Sequence, residues 1–443
     1  MTQLRERLES VGTVAGYLAA SLMGLSRNGA AGSISAILRT NVLMQVLSLL
    51  SVPILTRIYG PEHYGLFALY VILSGYVTQC AILRFDVAID IPKEDVDARA
   101  LLHLCLVLVL GMAILSTAVT LLFGKQVGRL MGQEQLADLL MFLPLSVMLG
   151  SYGALVGVWF ARQRDFQTPS NIRLLTALAD IGAKVGLGAS GALKLGQVLG
   201  SLSSVSAMVL LSHMSARKQQ FRLFHGFSVR RALLMGWKYR RFPLMNFPAT
   251  LLEMTAFAIP ALMIGVYFGP SAVGLYFVAD RLTQAPSVAI ASAIRPVFKR
   301  HVALRMHAEG TSRPLVFKTL VLTGGIGAMT LLGLFVVTPL LFDFIFEAKW
   351  HDAVWMVQVL AFARAMDIVV NPVTPVLVVR QNHKINLAIQ FLLVVGTAAA
   401  FALGGGMNNL QLAITGYSAV LCAKYFAELF FVIYFSDRGS LGI

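Results

Sequence analysis

Ten ionisable side chains stand inside stretches that are otherwise apolar: Arg39, Lys184, Arg281, Arg364 and Lys424, against Asp180, Glu253, Asp280, Asp367 and Glu428. An ionised group in the middle of a membrane helix costs about 2.5–3.5 kcal/mol on insertion scales, so it faces a cavity or a partner. Three pairs have helical spacing: Asp180/Lys184 and Lys424/Glu428 at i, i+4, and Arg364/Asp367 at i, i+3. For those the plain expectation is neutralisation within one helix. Arg39, Glu253 and Arg281 have no such partner, and Asp280, although adjacent to Arg281, points elsewhere around the helix. A carboxylate such as Glu253 can change protonation with conformation in a low-dielectric cavity, which suits a proton or cation site. An arginine from another helix accounts for it equally well. Asp280, Arg364 and Asp367 complete a candidate coupling or charge network.

Catalytic spacings fare badly. Asp95-Val96-Asp97 has the spelling of a glycosyltransferase metal motif, but its connection is too short for a nucleotide-sugar domain. Gly324-Gly325-Ile326-Gly327 lacks a preceding strand and the last glycine of the dinucleotide-binding spacing, and reads as helix packing. His301 and His307 have no glutamate between them in zinc-protease spacing, and no phosphate-binding Walker loop occurs. The three cysteines, Cys80, Cys105 and Cys422, are too few and too dispersed for a disulfide framework or a metal site. No catalytic residue, metal or cofactor is expected.

The elements that must position the buried charges follow from composition. The chain has 443 residues, 57% of them hydrophobic and 13% charged, with a mean hydropathy of +0.75. Soluble proteins carry roughly 25% charged residues, so this is an all-α polytopic membrane protein. Twelve stretches reach the roughly 20 apolar residues that a spanning helix needs: 35–57, 62–83, 101–123, 138–160, 172–193, 195–213, 243–268, 271–294, 316–341, 353–379, 385–404 and 410–435. The fifth and sixth are the least apolar. Residues 11–25 are apolar but short, and are expected to form a surface or re-entrant helix. No cleaved signal peptide is expected. With both termini in the cytoplasm, the inside segments hold 26 Lys and Arg and the outside connections hold 5. The positive-inside rule selects that orientation. The net charge of +15 therefore reflects membrane orientation and not nucleic-acid binding.

One phrase is written twice. Gly60, Pro61, Gly65 and Leu66 in "IYGPEHYGLF" match Gly269, Pro270, Gly274 and Leu275 in "YFGPSAVGLY" at a constant offset of 209. Each marks an outer hairpin, between spans one and two and between spans seven and eight. Gly ends a helix, Pro suits the first turn of the next, and the second Gly permits close approach of helices. A second echo, "RQRDF" from Arg162 and "RQNHK" from Arg380, falls at the cytoplasmic end of a fourth span in each half. Six spans on each side of the basic connection 214–242 make the repeat parallel, about an axis along the membrane normal. The expected organisation is a segment 1–34, an N-lobe 35–213, the connection 214–242, a C-lobe 243–435 and a tail 436–443.

"PILTRIYGPEHYGLFALY", "LRFDVAIDIPKEDVDARALL", "GPSAVGLYFVADRLTQAPSVAIASAIRPVF" and "KWHDAVWMVQVLAFARAMDIVVNPVTPVLVVRQNH" resemble the Wzx-type flippases. These form the polysaccharide-transport branch of the multidrug/oligosaccharidyl-lipid/polysaccharide exporter superfamily. The chain departs from that pattern at Phe85-Asp86, where Tyr-Glu is usual, and at Asp280, where Tyr is usual; the second adds acidity near the path. The resemblance implies two six-helix lobes around a central cavity lined by spans one, two, seven and eight. It implies alternating-access transfer of undecaprenyl-diphosphate-linked oligosaccharide units from the cytoplasmic to the periplasmic leaflet, for O-antigen, capsule or exopolysaccharide. Arg39 and Arg281 are then candidates to hold the diphosphate, because a guanidinium fork binds phosphate oxygens bidentately and stays charged. Arg57 stands at the outer mouth, as suited to anchoring the helix as to touching substrate. Asn41, Gln45, Asn246 and Asn371 are candidates for sugar hydroxyls.

The resemblance places the chain as a monomer in the bacterial inner membrane, with polysaccharide polymerase and chain-length proteins as candidate partners. Coupling to H+, Na+ or the membrane potential is left open. A drug/cation antiporter of the same fold is the main alternative, and it would favour a carboxylate-rich cavity. A membrane enzyme of glycan assembly is disfavoured by the short connections.

Overall fold

The computed structural model describes residues 30–219, 226–309, 311–379 and 383–437. Among them the chain is helical almost throughout, without a strand. In chain order the helices that matter are α1 (Ala30–Ile58), α2 (Pro61–Ile82), α3 (Asp95–Leu130), α4 (Leu143–Arg162), α5 (Gln167–Ala189) and α6 (Gly196–Lys218). A shorter α7 (Val229–Lys238) precedes α8 (Phe247–Phe268), α9 (Pro270–Glu309), α10 (Arg313–Leu332), α11 (Ala353–Val370), α12 (His383–Gly406) and α13 (Leu410–Phe435). The surface helix expected at residues 11–25 lies outside the described residues.

Each of the twelve expected spans is occupied by helix, with shifted ends: α1 begins at Ala30, α3 runs from Asp95 to Leu130 and α9 reaches Glu309. Ten are long and apolar enough to cross a bilayer. The two that are not, α5 and α9, carry Asp180 with Lys184 and Asp280 with Arg281. Those charges lower their hydropathy while the bundle shelters them. The protein is thus an all-α polytopic membrane protein. Its outer surface agrees: Leu121 and Leu122 of α3 are each 68% exposed, which lipid tolerates and water would not.

Helices α1 to α6 pack on one another through α5–α6, α1–α5, α3–α4 and α4–α6. Helices α8 to α13 do the same through α12–α13, α9–α11, α8–α12 and α11–α13. The two sets meet along a seam made by α2 on α9, α1 on α9 and α2 on α8.

The repeated phrase builds the tightest part of that seam. Gly60 is extended and precedes Pro61 in the first turn of α2. Gly269 has φ +88°, a left-handed value that a side chain would resist, and Pro270 opens α9. A Cβ on Gly65 would lie 1.8 Å from the Pro270 carbonyl oxygen, and one on Gly274 would lie 1.9 Å from the Pro61 carbonyl oxygen. The contact is reciprocal: each second glycine admits the opening turn of the other copy. We term this end of the bundle the hairpin face, and the end carrying the basic connections the basic face. Gly65→Ala must push two backbones apart, so its destabilisation should reach the upper end of the roughly 1–3 kcal/mol typical of overpacking. A thermal unfolding midpoint equal to that of the unaltered protein would contradict the reciprocal contact.

Candidate functional site

Arg281 follows Pro270 by eleven residues, roughly 17 Å along α9 from the hairpin face. Its guanidinium crosses the seam: Nη2 donates to Ser48 Oγ of α1 at 2.6 Å, and Nε to the same atom at 3.1 Å. Among the described residues no carboxylate lies within ion-pair distance of it. Lys184 of α5 is within electrostatic reach and is itself bonded to Asp180 at 2.7 Å. The one acid nearby is thus taken up by Lys184, and Arg281 adds an uncompensated positive charge at the seam. Tyr64, 2% exposed, lies within electrostatic reach of Arg281, and its buried hydroxyl has no hydrogen-bond partner among the described residues.

Asn41, Gln45 and Ser48 recur at i, i+4 and i+7, which places them on one face of α1. Asn41 is exposed, Gln45 and Ser48 half-buried. They make a polar stripe that runs from the basic half of α1 to Arg281. The side chain of Arg39, earlier on this helix, lies outside the described residues. Arg57 is exposed at the hairpin end of α1, and Asn246 is exposed at the entry to α8.

Sequence spacing misassigns one of the three expected intrahelical pairs. Lys184–Asp180 forms at 2.7 Å and Lys424–Glu428 at 3.3 Å. Arg364 pairs instead with Asp280 of α9, while Asp367 accepts from Ser287 Oγ of α9 and, at 3.2 Å, from Asn371 Nδ2. The reason is packing: α9 lies against α11, so a longer-range acid reaches Arg364 in better geometry than its helical neighbour. Arg364 is 2% and Asp367 6% exposed. Asn371 thereby belongs to this network. Asp280 and Arg281, adjacent in sequence, serve different places, with Asp280 inside the second half and Arg281 at the seam. Glu253 is exposed and has no ion-pair partner among the described residues. It sits two residues from Thr255, which accepts a hydrogen bond from Tyr76 across the α2–α8 seam at 2.9 Å.

The hairpin face is closed by two contacts that spacing alone does not reveal. Trp350, fully buried, donates Nε1–H to the Thr56 carbonyl at 3.0 Å and packs its ring edge-on against Tyr64 at 5.3 Å. Gln133, in the connection between α3 and α4, donates to the Gly265 carbonyl at 3.3 Å. Thr56 and Gly265 are themselves 209 apart, the offset of the Gly-Pro phrase. Both belong to the last turn of a helix, α1 or α8, where carbonyls have no partner within the helix. Each half thus reaches over and fills the same vacant acceptor of the other.

The turn that carries Trp350 is tied down on both sides. Lys349 bonds Glu347 at 2.7 Å and the Arg57 carbonyl at 3.2 Å, and its hydrogen bond and charge hold the Glu347 carboxyl below its usual value. His351 meets Asp343 at 2.9 Å, and that hydrogen bond and charge raise the imidazole above its ordinary value.

The chain spans 63% of the length of a curated relative, the succinoglycan biosynthesis transport protein ExoT of Rhizobium meliloti (strain 1021), with 24% identity over 326 residues and 72% of this chain covered. Among solved structures it is similar to an inward-facing multidrug resistance MATE family transporter of the MOP superfamily, at TM-score 0.68 and 15% identity, covering 90% of this chain and 97% of that one. It is also similar to the lipid II flippase MurJ in an inward closed conformation, at TM-score 0.69 and 14% identity, covering 89% and 86%. Those likenesses are of fold. Residues 54–355 match the family described as "Polysaccharide biosynthesis protein", a span that contains both copies of the Gly-Pro phrase, Arg281 and both latches, and the chain belongs to that family.

Proposed function

We propose that the chain is a flippase. It moves undecaprenyl-diphosphate-linked oligosaccharide units from the cytoplasmic to the periplasmic leaflet of the bacterial inner membrane, by alternating access between two six-helix lobes. The basic face is cytoplasmic, with both termini, and the hairpin face is periplasmic. The observation that carries this reading is Arg281: a guanidinium at mid-membrane, on the seam between the halves, engaged among the described residues by a serine hydroxyl and no acid. A cation placed there without an acid is expensive unless a mobile anion visits it, and a diphosphate matches the guanidinium fork. The stripe Asn41–Gln45–Ser48 gives the sugar hydroxyls a polar track toward it. The two hairpin-face latches hold the periplasmic side shut while the substrate enters from the basic side.

The acids favour this reading over a drug/cation antiporter. Asp180, Asp280 and Glu428 each have a basic partner, and Asp367 is hydrogen-bonded within the second half. Asp367 and Glu253 are the groups left to bind a coupling proton or Na+. The unit works as a monomer, beside the polymerase and chain-length proteins of its pathway.

Deleting the gene should strand lipid-linked repeat units on the cytoplasmic leaflet and lower surface polysaccharide. Leaflet-selective labelling of the lipid-linked sugar, together with surface glycan staining, reads both. Undiminished surface glycan in a strain without a related flippase would sink the assignment.

A further inference from the structure

Helix α7 is clamped to the start of α3. Arg231 bonds Asp97 at 2.7 Å and stands 3.8 Å from Glu94. The Ser228 hydroxyl caps the helix, accepting from the Arg231 backbone N–H at 3.4 Å, and the Phe227 ring meets His103 at 5.1 Å. Gly236 lies against Leu104, where an added Cβ would come within 2.7 Å of Cδ2. This packing buries Ala232 and leaves a second apolar ridge uncovered. Val229, Leu233 and Trp237, at i, i+4 and i+8, are 57%, 61% and 70% exposed.

Next to the ridge stand Arg230, Lys238, Arg240 and Arg241, all exposed. Among the described residues, none has an acidic side chain within ion-pair distance. The Arg240 guanidinium lies over the Trp237 ring at 4.1 Å. The depth is also informative. Helix α3 has 36 residues, about 54 Å at 1.5 Å each, against a hydrocarbon core of about 30 Å. Roughly 12 Å of it therefore projects at each surface, and α7 touches it between Asp97 and Leu104, across that boundary. An apolar ridge at the boundary, flanked by unpaired cations and a tryptophan, has the complement of one surface: a leaflet edge with anionic headgroups.

We propose that α7 docks on anionic phospholipid, with Val229, Leu233 and Trp237 inserted in the leaflet at the basic face and Arg230, Lys238, Arg240 and Arg241 on the lipid phosphates. The first half then carries this lipid-bound helix through the Arg231–Asp97 clamp. The proposal rests on the membrane fold alone and is independent of the substrate assignment.

The test uses the full chain, free of its native cysteines, with a spin label at Leu233→Cys. The protein is reconstituted into vesicles of phosphatidylcholine alone or with about one-third phosphatidylglycerol, the anionic lipid on which these cations act electrostatically. Collision with oxygen, which partitions into lipid, is compared with collision with a water-soluble nickel chelate. The expected result is a several-fold higher oxygen-to-nickel ratio with phosphatidylglycerol. That gain is lost in R230Q/K238Q/R240Q/R241Q, which keeps the Arg231 clamp, and also in 1 M NaCl for the unaltered sequence should the variant not fold. A water-like ratio in phosphatidylglycerol vesicles overturns the docking. An equally lipid-like ratio in both compositions overturns the anionic recognition. A label that is water-exposed in these vesicles but protected in cells assigns the ridge to a protein partner and overturns the proposal as well.

Discussion

Arg281→Ala should abolish export of the proposed lipid-linked oligosaccharide at normal levels of folded protein, and Arg281→Lys should retain part of it. A hydrogen bond to a charged group is worth about 1.5–3 kcal/mol, so if Arg281 holds the proposed diphosphate, losing the guanidinium fork should weaken that grip by roughly 10- to 150-fold. Lysine keeps the charge and loses the fork. The bond to Ser48 supplies the control. If Arg281 served only to tie α9 to α1, Ser48→Ala would reproduce the alanine phenotype, because Ser48 Oγ is the atom that holds it. If it serves the substrate, Ser48→Ala leaves export within a few-fold of normal. Export is read as surface polysaccharide per folded transporter, quantified by detergent-extracted monomer. Normal export by a stably inserted Arg281→Ala protein would remove Arg281 from the substrate path.

Much of the fold was legible because lipid writes a strong pattern. Apolar runs of about 20 residues punctuated by Gly-Pro locate helices without any knowledge of packing, and α2, α8 and α13 stand close to where they were expected. The helix ends were less legible. Nothing in hydropathy says that α3 continues to Asp95, since the added turns are amphipathic and are settled by their contact with α7. The repeat was visible as a phrase, but its reciprocity was not. That Gly65 admits Pro270 while Gly274 admits Pro61 depends on two helices that begin 209 residues apart.

The site was legible in kind but only partly in pairing. Charged residues in apolar helices announced themselves, and Arg281 was among them. Lys184–Asp180 and Lys424–Glu428 were legible as pairs, whereas the partners of Arg364 and Arg281 were not. The i, i+3 spacing of Arg364 and Asp367 is a weak preference of a few tenths of a kcal/mol, overridden once α9 brings Asp280 alongside. Ser48 gave no signal beyond its place in the stripe with Asn41 and Gln45. The latches had none, because they end on backbone carbonyls, to which any residue type contributes equally. Trp350 reaches across 294 residues and Gln133 across 132, and no periodicity encodes such distances.

The latches set the second large effect, which is on conformation. Trp350→Ala removes a donor to Thr56 and a fully buried ring against Tyr64, where large-to-small substitution of an aromatic residue costs about 3–5 kcal/mol. Because these contacts join the halves, that energy favours separation of the hairpin face as well as unfolding. A ligand or substitution shifts a two-state equilibrium by its differential effect on the two states. If one-third to one-half of the loss falls on the closed state alone, the open fraction rises roughly 5- to 70-fold. The reporter is a cysteine at Ser48, beside Arg281, in a chain free of native cysteines and treated with a membrane-impermeant thiol reagent from outside the cell. Labelling should be slow with Trp350 present. With Trp350→Phe, which keeps the ring and loses the hydrogen bond of about 1 kcal/mol, it should be a few-fold faster. With Trp350→Ala it should be faster again by an order of magnitude. Gln133→Leu should act like Trp350→Phe and should combine with it, because the two latches hold equivalent carbonyls of opposite halves. Unchanged labelling at position 48 in a well-folded Trp350→Ala, Gln133→Leu protein would mean that the Gly65–Gly274 crossing alone closes this face. The hairpin side would then have to open by some route other than release of these two helix ends.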